Sequence, residues 1–415
     1  MQKYRFLSSF LPDSGKRGLV VLTGARQTGK TTLARSKYAQ LRYINLDAPE
    51  NRETLRNVPT QAWAKSVGNA VIDEAQKEPV VFEKIKYAYD EKDISFTLLL
   101  GSSQILLLKK LRESLAGRVA IFELWPLLMS ELYAKDDAVS VEPPFVHQLL
   151  SENAFEKIIK DHPPILLDKE QSNVGATEDY ILQWGGMPAL LPLSDDERWK
   201  WLKDYEYTYL ERDLSDLAQL DNLEPFSKFQ RLSALRSGRL LNYSELARDA
   251  SVSVDTARRY LEYLKLSYQV MLLQPYYRNI TSSVIKTPKL YWIDIGLLRR
   301  LSGQREEVSG EIYETMVVAE LFKWIKTAQL NVEMYFYRTR SGMELDLLLT
   351  TEHGFIGVEI KARKTLVSSD IRGLKEIAAA LKKEWLGGLV IYRGDEIKKL
   401  AEHNIWAMPS KMLFI

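Results

Sequence analysis

The sequence predicts an α/β protein: a parallel sheet with helices on both faces, then a mainly helical region, then a smaller α/β unit. Three observations carry that expectation. Short apolar runs alternate with helical patterns up to about residue 135, as strands joined by crossover helices require. The first of these runs leads into Gly24-Ala25-Arg26-Gln27-Thr28-Gly29-Lys30-Thr31, which spells G-x-x-x-x-G-K-[ST], a phosphate-binding loop. Strand-like alternation of apolar and polar residues returns late, over Glu344–Leu348 and Phe355–Lys361.

Composition bounds the rest. A chain of 415 residues is too long for one ordinary core, so two or three domains are expected. With 46% hydrophobic and 27% charged residues, it has the profile of a soluble globular protein. The formal net charge is only +2, so a nucleic-acid surface must be a local patch. Cysteine is absent, which excludes disulfides, zinc–cysteine sites and thiol catalysis and suits a reducing cytoplasm. Met1 to Phe10 lacks the apolar core of a signal peptide, and runs such as Thr97–Leu100 are far too short to span a bilayer. The expected location is cytoplasmic, with no membrane partner.

In residues 1–135 the candidate strands are Leu19–Leu22, Tyr43–Leu46, Ala70–Asp73, Phe96–Leu100 and Ala120–Leu124. The loop after the first strand provides the nucleotide-binding set Gly24, Ala25, Arg26, Gln27, Thr28, Gly29, Lys30, Thr31 and Thr32. Its glycines let successive N–H groups point at phosphates, and the following helix dipole adds to that field. Lys30 is placed to reach the β- and γ-phosphates of ATP, and the Thr31 hydroxyl to ligate Mg²⁺. The apolar run ending in Asp73-Glu74 supplies the two further carboxylates: Asp73 as Mg²⁺ partner and Glu74 as the group that polarises the attacking water. The fourth run ends in Gly101-Ser102-Ser103. If that strand neighbours the first, Ser103, with Ser102 as the alternate, lies beside the γ-phosphate and senses the nucleotide state.

Residues 136–179 lose this pattern and are broken by Pro143-Pro144 and Pro163-Pro164, reading as a lid or linker. In residues 180–305, Asn242 or Ser244 caps a short helix and Ser251-Val252-Ser253 turns the chain. A second helix, Val254–Leu266, follows, and then strand candidates Val270–Leu273 and Leu290–Ile293. Together they read as a winged helix-turn-helix exposing Thr256, Arg258, Arg259 and Lys265, with Tyr276-Tyr277-Arg278 beyond. These groups suit DNA, although such a module also serves for packing or subunit contact. Trp184-Gly185-Gly186-Met187-Pro188 reads as a structural turn.

In residues 306–415, Glu359 and Lys361 share one face of a strand, and pairing with the preceding strand brings Asp346 to them. Two carboxylates with a lysine suit Mg²⁺ and an activated water. Upstream, Glu314 lies in line with Val318, Leu321 and Ile325 on a helical stripe, so it is expected to point inward as a third acid. Glu320 falls off that stripe and is expected to be solvated. Arg338, Arg340, Arg363 and Lys364 stand as phosphate contacts around the site, or as a solvated rim.

The phosphate loop, Tyr43-Ile44-Asn45-Leu46-Asp47, Val71-Ile72-Asp73-Glu74-Ala75-Gln76, Gly101-Ser102-Ser103, Ser114-Leu115-Ala116-Gly117-Arg118 and Trp125-Pro126-Leu127 together resemble AAA-type ATPases. The resemblance is to a prokaryotic group with a restriction-nuclease-like C-terminal region of unassigned function, and it covers nearly the whole chain. It implies a P-loop NTPase sheet followed by a winged helix-turn-helix and a nuclease-like α/β domain. It also implies that Arg118 stabilises transition-state charge on its own nucleotide or a neighbour's, and that the chain forms a homo-oligomeric ring. Asp346, Glu359 and Lys361 resemble the D…E-x-K core of restriction-endonuclease-like nucleases, which place a further acid on the first helix. Leu345 stands where that motif's name has proline. The activity so implied is ATP-dependent DNA processing, with branched DNA among the substrates, and Mg²⁺-dependent cleavage. The alternatives are an ATP-driven DNA-remodelling motor on an inactive nuclease fold, or a nucleotide-gated signalling switch.

Overall fold

The computed structural model describes residues 3–101, 115, 117–165, 168–209, 223–276, 287–305, 307–339 and 342–415. Five strands form the N-terminal sheet: β1 (Gly18–Thr23), β2 (Arg42–Asn45), β3 (Ala70–Asp73), β4 (Phe96–Gly101) and β5 (Val119–Glu123). Their order is β2-β3-β4-β1-β5, and every pairing is parallel. Alternate residues of these strands enter two separate cores. Leu19, Val21, Ile72 and Leu99 pack on one side of the sheet, and Val20, Leu22, Val71 and Leu98 on the other. Both faces are covered, which is why the strands read as continuous apolar runs rather than alternating ones.

Among the described residues, the second sheet has nine strands: β6 (Arg239–Leu240), β7 (Val270–Pro275), β8 (Lys289–Trp292), β9 (Glu333–Arg338), β10 (Glu344–Thr350), β11 (Phe355–Lys361), β12 (Trp385–Tyr392), β13 (Lys398–Ala401) and β14 (Ile405–Pro409). Their order is β13-β14-β12-β11-β10-β9-β7-β8-β6. This sheet crosses a boundary that the sequence suggested. The hairpin β7–β8 of the helical region pairs through β7 with β9 of the C-terminal region, with Gln274 opposite Tyr335 and Pro275 opposite Phe336. The hairpin is therefore built into a sheet and is not a free wing. Residues 180–305 and 306–415 share one scaffold.

Residues 136–179 also differ from the expected lid. They contain helices Phe145–Ser151 and Phe155–Asp161 and the start of Asp168–Trp184. Phe145, Leu149, Phe155 and Ile159 are buried in the core that runs through the C-terminal two-thirds of the chain. The prolines sit at helix boundaries: Pro143-Pro144 immediately precede the first of these helices, and Pro163-Pro164 follow the second.

Helix Gly310–Thr327 is the centre of that core. Ser309 caps it by accepting from Ile312 N–H. It is buried on nearly every face, Glu320 included. The expectation that Glu320 is solvated is thus overturned: the helix packs between the C-terminal sheet and the segment after β5, and Glu320 lies on a face buried in that contact, while Glu311 and Lys326 reach solvent. Glu320 accepts from the Met129 N–H at 3.0 Å and pairs with Lys323, whose ammonium also donates to Leu127 O at 3.0 Å. The Trp184–Pro188 turn joins the same junction. Leu127 N–H donates to Gly186 O at 2.7 Å, and Gly186 N–H donates to Asp294 at 2.8 Å. A Cβ on Gly186 would lie 2.4 Å from Leu127 O, so only glycine permits this approach. No helix among the described residues is long and apolar enough to cross a membrane.

Candidate functional site

The phosphate loop runs from the end of β1 to helix Lys30–Lys37. Gly24 has φ +147°, and a Cβ there would lie 2.2 Å from Leu124 O. Gln27 and Gly29 also have positive φ, at 64° and 93°, so the backbone curls as a phosphate cradle must. Lys30 is buried, and its ammonium donates to Gly24 O at 2.9 Å and Ala25 O at 2.7 Å. Arg5 braces the loop from outside, donating to Thr28 O at 2.7 Å and Trp125 O at 2.5 Å. Beside the loop, Arg5, Thr28, Gly29, Thr32, Leu127 and Pro192 help to line a cavity of about 380 Å³.

Asp73 closes the constellation. Its Oδ2 accepts from the Thr31 hydroxyl at 2.7 Å and from the Tyr43 hydroxyl at 2.6 Å, while Oδ1 accepts from Glu74 N–H at 2.9 Å. A hydroxyl and a carboxylate, both hard oxygen donors, meet at the helix N-terminus. That donor set fits Mg²⁺, and the loop N–H groups fit the phosphates of ATP. When bound, the ion would be held by Thr31 and Asp73 and would supply neutralisation of phosphate charge. Glu74 adopts φ 53°, a left-handed conformation unusual outside glycine, and accepts from the Gln76 amide at 2.5 Å. Burial and then Asp73 push its carboxyl above the usual range, while Arg26, Gln76 and Lys30 pull the other way.

β4 lies directly beside β1, with Gly101 opposite Thr23. The strand adjacency assumed for Ser103 is therefore present, although Ser102 and Ser103 themselves lie outside the described residues. Arg118 is not near its own nucleotide loop. It precedes the N-terminal end of β5, at the edge of the parallel sheet opposite the loop, and pairs with Asp90 at 2.8 Å. Action on its own nucleotide is excluded by that placement.

Tyr43 is the residue that local sequence reading missed. It comes from β2, separated from β1 by two strands, and Arg35 of the loop helix stacks over its ring at 4.0 Å. Its phenol shares an Asp73 oxygen with Thr31, so it would still hold the carboxylate if the Thr31 hydroxyl ligated a metal ion. Tyr43→Phe is expected to raise the Mg²⁺ concentration for half-maximal ATP hydrolysis by about tenfold. Metal titration of turnover at saturating ATP checks this.

The C-terminal residues do come together, but with protein partners. Ile360 N–H donates to Asp346 at 2.8 Å, and Lys361 donates to Glu359 at 2.5 Å. Glu314 points inward as its stripe requires. There it accepts from the Tyr291 hydroxyl at 2.5 Å and lies 3.3 Å from the Lys289 ammonium. Lys289 also stands 2.8 Å from Glu344, whose other oxygen is 3.4 Å from Arg338. Burial and then Asp346 raise the Glu359 carboxyl to about 8 against the opposing pull of Lys361. Burial disfavours charge on Lys361, but Glu359 and Asp346 outweigh it and keep its pKa above the ordinary lysine value. Lys361 is thus held as a cation paired with Glu359.

Among the described residues, no three His, Asp or Glu groups are placed to hold a metal ion. The expected Mg²⁺ trio of Glu314, Asp346 and Glu359 therefore does not fit. Lys289 and Tyr291 explain why: they come from β8, in a region that the sequence assigned to another domain. Of the proposed rim, Arg338 pairs with Glu344, Arg363 pairs with Asp370, and Lys364 is exposed, while Arg340 lies outside the described residues.

The helix-turn-helix segment contains helices Tyr243–Ala250 and Val254–Leu266, capped by Asn242 and Ser253. Arg258 and Arg259 are exposed, while Lys265 is half-buried and paired with Glu262 at 2.8 Å. Tyr276 is buried, and Tyr277 and Arg278 lie outside the described residues.

Residues 16–133 match the family model described as an AAA domain. With the parallel sheet, the loop and Asp73-Glu74, the N-terminal unit is a P-loop ATPase domain. Residues 176–308 and 309–413 match two domains of unknown function, DUF8612 and DUF4143. Among curated proteins, the chain is 28% identical over 404 residues to the uncharacterized protein Rv2008c of Mycobacterium tuberculosis, covering 95% of this chain and 80% of that one. It is 25% identical over 382 residues to the uncharacterized protein MJ1544 of Methanocaldococcus jannaschii, covering 89% and 78%. Among solved structures, it is similar to the Walker-type ATPase PABY2304 of Pyrococcus abyssi, with TM-score 0.42, 18% identity and coverage of 71% and 94%.

Proposed function

We propose that this chain is an ATP-hydrolysing protein that acts on DNA, using nucleotide turnover to drive motion or gate access. The observation that carries the ATPase half is the Thr31–Asp73 contact at 2.7 Å with Glu74 next in the chain. That geometry supports Mg²⁺-ATP binding with an adjacent base for water. The DNA half is supported by the exposed Arg258 and Arg259 on the second helix of the helix-turn-helix. In this reading the nuclease-like unit grips DNA without cutting it, because its acids are committed to Lys289, Tyr291, Lys361 and Ile360 N–H. In this reading Arg118, at the end of the ATPase sheet opposite the loop, acts on a neighbouring subunit's nucleotide in a ring.

Two measurements test this. Arg258→Glu with Arg259→Glu is expected to weaken DNA binding and lower the slope of log affinity against log salt by about 2. An unchanged slope in fluorescence anisotropy removes this helix from the DNA contact. End-labelled linear, forked and four-way DNA with Mg²⁺ or Mn²⁺ is expected to remain intact. Cleavage by the wild type that Asp346→Ala and Lys361→Ala lose would instead assign phosphodiester hydrolysis to the C-terminal unit. Failure of DNA both to bind and to stimulate ATP hydrolysis would leave a nucleotide-gated switch.

A further inference from the structure

Lys289 sits on β8 with 3% of its surface exposed. Its ammonium lies 2.8 Å from Glu344 and 3.3 Å from Glu314, and Asp346 is close enough to act on its charge. Four carboxylates gather here (Glu314, Glu344, Asp346 and Glu359), against the cations Lys289, Lys361 and Arg338. Lys289 is the most buried of the three cations, and a regular sheet strand fixes its backbone.

We propose that the Lys289 ammonium is the resident cation of the C-terminal acid cluster, standing in the space between Glu314, Glu344 and Asp346 where a divalent ion would otherwise bind. Three features support this. The contacts of 2.8 and 3.3 Å are ordinary ammonium–carboxylate distances, whereas Mg²⁺ needs oxygens converging at about 2.1 Å. Other protein groups share the acids: Tyr291 donates to the same Glu314 oxygen that Lys289 approaches, Ile360 N–H to one Asp346 oxygen, and Lys361 to one Glu359 oxygen. A divalent ion entering beside a fixed, buried ammonium would be strongly repelled at short range and low local dielectric. The four acids also explain why so buried a lysine is tolerated, since an unpaired charge there would be costly.

The lysine has a second consequence. It comes from the hairpin that follows the helix-turn-helix, while its partners come from helix Gly310–Thr327 and β10. One side chain thus both neutralises the cluster and fastens the candidate DNA-binding region to the C-terminal unit. The inference rests on the non-cutting reading of that unit, and its test is blind to the ATP and DNA steps.

The test is Mn²⁺ binding to the nucleotide-free full-length chain, followed by electron paramagnetic resonance of the free ion. Wild type, Lys289→Met, and Lys289→Met with Asp346→Asn are compared, so that any Mn²⁺ at the nucleotide loop is common to all. Lys289→Met is expected to bind one Mn²⁺ more than wild type, and the added Asp346→Asn to remove it. Equal stoichiometry in wild type and folded Lys289→Met overturns the proposal. Should Lys289→Met fail to fold, Asp346→Asn alone decides. Unchanged Mn²⁺ stoichiometry relative to wild type is the expected result, and loss of one bound ion overturns it. Cleavage that fails in every protein while wild type binds this Mn²⁺ would overturn the resident-lysine proposal and leave the non-cutting reading standing.

Discussion

Glu74→Gln is expected to bind ATP normally and hydrolyse it about a hundred- to a thousandfold more slowly. The substitution keeps the shape and the Gln76 contact but removes the carboxylate proposed to polarise the attacking water. Asp73, Thr31 and Lys30 remain, so the phosphate and Mg²⁺ contacts survive. The wild-type pH profile carries a further signature. Because burial and Asp73 raise the Glu74 carboxyl, its basic form is lost on acidification at a higher pH than for an ordinary glutamate. Turnover should therefore fall on an acid limb shifted upward, and Glu74→Gln should lack that limb. Single-turnover hydrolysis and nucleotide binding, measured on the same preparations, separate the two effects. Normal turnover in the variant removes Glu74 from the role.

Lys30→Ala is expected to abolish detectable nucleotide binding and hydrolysis together. The ammonium is buried and held by Gly24 O and Ala25 O inside the loop, so its charge is concentrated where the phosphates would lie. Replacing it removes the buried positive side chain of the cradle and leaves its N–H groups with the more peripheral Arg5 and Arg26. Calorimetric titration with ATP checks the binding half. Unchanged affinity and turnover would contradict the placement of the β- and γ-phosphates at this loop.

Much of the ATPase unit was legible because its signals are local. The predicted strand Ala70–Asp73 coincides with β3, and the loop, Asp73 and Glu74 each follow directly from a strand end. Tyr43 was not legible as a site residue, since its reach to Asp73 depends on β2 pairing with β3. The C-terminal half divides in the same way. The strand Phe355–Lys361 and the inward turn of Glu314 follow from periods of 2 and 3.6. Lys289 and Tyr291 share one face of β8 by the same alternation, but nothing local says that β7–β8 continues the C-terminal sheet. Glu320 failed for a related reason: a hydrophobic stripe finds one buried face, and this helix has two. Non-local packing hid what the motif could not state, namely that the acids already had partners.

The most direct test of the account is steady-state ATP hydrolysis by the full chain with Mg²⁺, without and with duplex or branched DNA, beside Glu74→Gln as the inactive control. The account predicts Mg²⁺-dependent hydrolysis that DNA accelerates and that Glu74→Gln lacks in both conditions. Hydrolysis that is absent in the wild type, or equal in wild type and Glu74→Gln, would contradict it.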